Sequence, residues 1–120
     1  MTNHANTISR EELRLKIQRG DEFHLFEVLP EPYYRKHHLP GALHMPPNDV
    51  EATAERWIRD KNAEVILYCW DENCPTSPYA ARLLERLGCT NVREYAAGKK
   101  DWRDAGLPLE RTADQRSLVA

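Results

Sequence analysis

The sequence has no large excess of charge of either sign: 17 Lys and Arg against 19 Asp and Glu leave a net charge of -2 and a pI near 6.2. No broad cationic face is on offer to phosphate backbones, so nucleic acid is not an expected partner. Long apolar runs are missing too. The longest, Val65 to Trp70, has six residues, against about 20 for a spanning helix, and no membrane partner is expected. Residues 1–7 lack the basic start and apolar segment of a secretion signal, which makes a cytoplasmic location the expectation. Cysteine is scarce and odd in number. Three of them in 120 residues argue against a disulfide scaffold and for reduced thiols. What is present, 41% hydrophobic residues in a chain of this length, suits one compact domain.

Ser9 heads a helix that should stop at Gly20: Glu12 completes an S-x-x-E capping box, and Ile8 can staple against Leu13. Phe23 to Val28 alternates and ends apolar, a strand signal. Pro30, Pro32 and the polar residues through His38 read as a loop or a short turn of helix. Pro40-Gly41 punctuates before a strand over Ala42 to Met45. Pro46-Pro47-Asn48 ends that strand and caps a second helix, with Val50, Ala54, Trp57 and Ile58 on one face. Val65 to Cys69 is a continuous run of β-formers, the pattern of a central strand covered on both faces. Beyond the polar residues 70–76, Ser77-Pro78 reads as an N-cap with proline at the first helical position. Ala80, Leu83, Leu84 and Leu87 stripe this helix down to Gly88. Asn91 to Tyr95 makes a strand, Gly98 to Ala105 a last helical turn or two around Trp102, and Gly106 to Glu110 packs back. Residues 1–7 and 111–120 read as tails around one domain over 8–110. Strands alternating with helices predict an α/β fold: a mostly parallel central sheet of about five strands, with helices on both faces. In such sheets the ligand site lies beyond the carboxyl ends of the strands.

Cys69 stands at that end of the best strand, before a loop opening onto a helix N-terminus. Backbone N–H groups of Trp70, Asp71, Glu72, Asn73, Cys74, Thr76 and Ser77, curling inward, would stabilise an anion or a thiolate there. A lowered Cys69 pKa is then expected. The competing reading is a buried small hydrophobe at a strand end, as many free cysteines are.

Phe26-Glu27-Val28-Leu29-Pro30 with Tyr33-Tyr34, and His38-Leu39-Pro40-Gly41-Ala42-Leu43-His44-Met45-Pro46, follow an order that resembles the rhodanese domain, a family of sulfurtransferases with the signature H-[IL]-P-G-A-x-x-[IL]-P; the resemblance runs over Ile8 to about Glu110. Val65 to Cys69 resembles the strand bearing the catalytic cysteine, with Ala80-Ala81-Arg82-Leu83-Leu84, Leu87-Gly88 and Asn91-Val92 after it. Gly98 with Trp102, then Gly106-Leu107-Pro108, resembles the closing G-x-x-x-W and G-[LY]-P. The resemblance implies a single rhodanese-like domain in which Cys69 accepts a sulfane sulfur as a persulfide and passes it to a second nucleophile. It implies small-molecule or protein-bound sulfur donors and acceptors, and no cofactor. His38, Pro40 and Gly41 carry over as structural residues shaping the turn, a solvent-facing histidine being the alternative for His38.

The loop departs from the family, where an arginine stands five positions after the cysteine. Cys74 occupies that position, Asp71 and Glu72 add two carboxylates, and the next arginine is Arg82, inside the helix. Serine at the helix start also comes two residues late, which predicts a longer loop. Carboxylates near a thiolate oppose its ionisation and repel a dianion such as thiosulfate, each by ~1 kcal/mol when solvated. Cys74 has two readings: a resolving thiol that attacks a Cys69 persulfide, releasing sulfide and leaving a disulfide, or a loop residue pointing elsewhere. Cys89 reads as structural. A zinc set from Cys69, Cys74 and His37, His38 or His44 lacks a second closely spaced pair, so no metal is expected. Arg35 to His38 and Lys99-Lys100 read as cations near the loop or as solvated surface, Trp57 and Trp102 as core, and Trp70 as a wall of the pocket. A thiol redox sensor using Cys69 and Cys74 is the alternative function. A cysteine phosphatase is a weaker one, since the loop has no arginine to clamp phosphate. Oligomeric state is not encoded in any feature of the sequence.

Overall fold

The structure, a computed structural model, describes residues 6–112. Helix α1, Arg10–Arg19, is capped by the Ser9 side chain, which accepts from the Glu12 amide at 3.0 Å. The carboxylate of Glu12 goes to Arg93 rather than back to the cap. Next come strand β1, His24–Glu27, helix α2, Glu31–Lys36, strand β2, Leu43–His44, and helix α3, Val50–Trp57. Strand β3, Val65–Tyr68, leads to helix α4, Thr76–Arg86, strand β4, Val92–Glu94, and helix α5, Gly98–Asp104.

All strand pairs are parallel, in the order β2-β1-β3-β4, and β3 lies between two neighbours. Four strands form where about five were expected. Beyond β4 the chain at residues 6–8 adds a single parallel bridge, Thr7 to Glu94, too short to make a strand. This segment belongs to the expected N-terminal tail; the rest of that tail, residues 1–5, and residues 113–120 of the C-terminal one lie outside the described residues.

Alternation along β3 divides the core. Val65 and Leu67 join Val50, Ala54, Ala80 and Leu84 on the α3–α4 face. Ile66 and Tyr68 join Ile8, Leu13, Tyr95 and Trp102 on the α1–α5 face. Helices therefore cover both faces, and all four β3 residues are buried, as a parallel sheet requires.

Three helix expectations are corrected. Trp57 is 43% exposed rather than in the core, because α3 buries Val50, Thr53 and Ala54 and turns Trp57 toward a cavity of about 630 Å³ beside Tyr34, His44 and Arg56. That helix is headed by Asp49 rather than Asn48. Helix α4 begins at Thr76, with Pro75 as its cap, so Ser77 lies inside the first turn and the loop after Cys69 is shorter than expected.

Candidate active site

The parallel register brings Glu27, His44 and Tyr68 side by side at the carboxyl ends of the strands. Cys69 follows Tyr68 directly and is 2% exposed. Its thiol faces the start of α4, donating to Ser77 Oγ at 3.4 Å and to the Cys74 carbonyl at 3.5 Å. The Ser77 hydroxyl in turn approaches Glu94 Oε1 at 3.5 Å.

The loop is held by α5. Lys99 and Lys100 amides donate to the carbonyls of Cys69 and Trp70, both at 2.9 Å. Gly98, at φ 79°, makes that approach possible: a Cβ there would lie 2.5 Å from the Trp70 carbonyl oxygen. Within the loop, Asp71 uses its side chain to accept from the Asn73 amide and its carbonyl to accept from the Cys74 amide. The indole of Trp70 carries the Arg103 guanidinium 5.1 Å from its ring centre, a cation beside the loop that its own residues do not supply.

The anion cradle expected around Cys69 is divided. The Asn73 and Cys74 amides are committed to Asp71. Of the other loop amides, that of Ser77 favours the Cys69 thiolate, whereas those of Trp70 and Thr76 favour the Cys74 thiolate. Acidity follows this division. Burial pushes the Cys69 thiol above its ordinary value, helped by the adjacent Cys74 thiol and opposed by the Ser77 and Thr76 hydroxyls and the Ser77 amide. The expected lowering of the Cys69 pKa is thereby reversed. At Cys74 burial also acts upward, but the Cys69 thiol, the Thr76 hydroxyl and the two amides outweigh it and hold this thiol below its ordinary value. The Thr76 hydroxyl lies 3.2 Å from the Cys74 sulfur and anchors to the Val28 carbonyl at 2.7 Å.

His38 is buried. It stacks on Tyr34, its Nδ1 lies 2.8 Å from the Tyr34 carbonyl, and its backbone pairs with Glu110 in both directions. Pro40 and Gly41 occupy the middle of a turn closed by the Ala42 amide on the Leu39 carbonyl; Gly41 has φ 78°, which a side chain would strain. His44 bonds the Leu29 carbonyl, so it does not join the cysteines. Cys89 is buried in the α3–α4 core.

Sequence reasoning overlooked a buried polar network under this site. The Lys99 ammonium, 1% exposed, binds Glu27 Oε2 at 2.8 Å and the carbonyls of Tyr33 and His37. The other oxygen of Glu27 accepts from the Tyr68 hydroxyl, which itself accepts from the Leu39 amide. One signal was available: Lys99 precedes Trp102 by three residues, so both fall on the core-facing side of one helix.

The model of the rhodanese-like domain matches residues 9–105. The chain belongs to this family. Among solved structures, the BH2092 protein of Bacillus halodurans superposes with a TM-score of 0.82 at 28% identity, covering 90% of this chain and 78% of that one. The human single-domain sulfurtransferase TSTD1 gives 0.72 at 25% identity, covering 83% and 96%. An HTH-type transcriptional regulator of Mycobacterium tuberculosis is 30% identical over 90% of this chain and 46% of its own length. YrkF of Bacillus subtilis, a candidate sulfur carrier protein, is 28% identical over 79% of this chain and 49% of its own. The chain thus spans about half the length of these two relatives. Among the described residues no helix is long and apolar enough to cross a membrane.

Proposed function

We propose that this rhodanese-like domain is a sulfurtransferase or persulfide carrier in which Cys69 accepts a sulfane sulfur and delivers it to a thiol or another nucleophile. The observation that carries this reading is the seat of Cys69: a thiol at the tip of the central strand, facing the first turn of α4 and bonded to the Ser77 hydroxyl. Ser77 supplies both an amide and a hydroxyl to a sulfur anion formed there. The neighbouring Asp71 and Glu72 disfavour a dianionic donor, so a persulfide or a monoanionic hydropolysulfide is the preferred sulfur source over thiosulfate. The sulfur-carrier relative and the human sulfurtransferase support the same chemistry. Three free thiols suit a reducing compartment such as the cytoplasm.

The test is cyanolysis after incubation with a small-molecule persulfide, inorganic polysulfide or thiosulfate. Thiocyanate should form with the first two, more slowly with thiosulfate, and vanish in Cys69→Ser. A change in thiol oxidation state without thiocyanate from any donor would instead support the redox-sensing alternative, which the contact between Cys69 and Cys74 favours over phosphatase chemistry.

A further inference from the structure

We propose that Cys74 is a second catalytic thiol, whose attack on a Cys69 persulfide releases hydrosulfide and leaves a disulfide between residues 69 and 74. This rests on the carrier reading of Cys69 and adds an activity to it: reductive cleavage of the sulfane instead of its transfer.

Three observations point to Cys74. Residue 74 packs directly on the reacting atom, its carbonyl accepting from the Cys69 thiol at 3.5 Å. The Cys74 sulfur lies 3.2 Å from the Thr76 hydroxyl, whose own proton goes to the Val28 carbonyl, so this side chain is tied into the loop, and the Trp70 and Thr76 amides favour its thiolate. Cys74 is also half-buried where Cys69 is sealed, so it and not Cys69 meets an incoming reductant. A thiolate held beside the inner sulfur of a persulfide is arranged for exchange.

The step balances without an external oxidant. The Cys74 sulfur forms a bond to Cys69 Sγ, the bond from Cys69 Sγ to the sulfane sulfur breaks, and its electron pair leaves as hydrosulfide. The sulfane sulfur is reduced while the two cysteines are oxidised to the disulfide. A second turnover then requires an external dithiol to reduce that bond.

The experiment loads the full chain with inorganic polysulfide, removes excess donor, blocks free thiols and maps the unreduced peptides. Wild type, Cys74→Ser, Cys74→Ala and Cys69→Ser are compared, the last setting the background of released sulfide. Expected in wild type is a 69–74 disulfide together with one sulfide per disulfide above background. Both Cys74 variants should keep one extra sulfur on Cys69 and release no sulfide until an external thiol is added. An extra sulfur that persists on wild-type Cys69 as long as on the variants would overturn the resolving role alone. Absence of the adduct from both Cys74 variants would overturn the carrier reading and this proposal with it.

Discussion

Lys99 ties the sulfur-bearing loop to the buried carboxylate of Glu27: its amide donates to the Cys69 carbonyl at 2.9 Å, and its ammonium lies 2.8 Å from Glu27 Oε2. One residue thereby fixes the tip of β3 against the end of β1 and, through the Tyr33 and His37 carbonyls, against α2. Both charges are removed from water, at 1% and 0% exposure, so neither is tolerated alone. Lys99→Met should lower the unfolding free energy by about 3–5 kcal/mol in urea titration. Adding Glu27→Gln to that variant should restore part of the loss, because the stranded charge is then gone. A loss unchanged by the second substitution would mean that the pair is not what holds this corner.

Gly98 is the second fixed point of the loop. Alanine there combines a positive φ with a Cβ 2.5 Å from the Trp70 carbonyl oxygen, so backbone must shift. The left-handed conformation alone costs about 1–3 kcal/mol in a non-glycine residue. Gly98→Ala should therefore melt at a lower temperature and, as the loop is displaced, expose Cys69 to faster alkylation by iodoacetamide. Unchanged melting and labelling would contradict the clamp.

The two thiols should titrate on opposite sides of their ordinary value. Burial raises Cys69, so folding favours its protonated form; that stabilisation is complete below the unfolded-chain pKa of 9.0 and is lost as pH rises through the higher folded value. Cys74, lowered by its hydrogen-bond donors, behaves in the reverse sense: its contribution is present above 9.0 and is lost as pH falls through the folded value. Limited alkylation followed by peptide mapping should label Cys74 first at neutral pH, with Cys69 following only in alkali. Labelling of Cys69 first would reverse the assignment.

Ser77 is expected to act on Cys69 and not on Cys74. Its hydroxyl and amide favour the Cys69 thiolate, so Ser77→Ala should shift the alkylation profile of Cys69 further to alkaline pH and slow thiocyanate formation by about tenfold, the effect of one hydrogen bond to a charged group. Ser77→Thr, which keeps the hydroxyl, should recover most of the rate. The Cys74 profile should not move.

Much of this was legible in the sequence, and the misses have physical causes. The four strands, the central place of Val65 to Tyr68, and the stop of α1 at Gly20 follow from β-rich runs, alternation and glycine punctuation, all local signals. Trp57 reads as core because a helix of eight residues presents too few turns to tell Thr53 from Trp57 as the core-facing residue. The start of α4 reads two residues late because Ser77-Pro78 imitates a cap, although proline is tolerated in a first turn, and here the chain turns at Pro75. Cys69 was visible from its place at a strand end. The division of the amides between Cys69 and Cys74 was not, since it depends on how Asp71 folds the loop onto itself. The Lys99–Glu27 pair spans residues 72 positions apart, and no local pattern encodes such a contact.

The central claim is that Cys69 carries sulfane sulfur, and intact-mass measurement on Cys74→Ser tests it most directly, because removing the neighbouring thiol lets the adduct survive. After incubation with inorganic polysulfide and removal of excess donor, this variant should gain the mass of one sulfur atom, mapped to Cys69, released as thiocyanate by cyanide and absent when Cys69→Ser is added. A chain that gains no sulfur, or gains it equally without Cys69, would contradict the account.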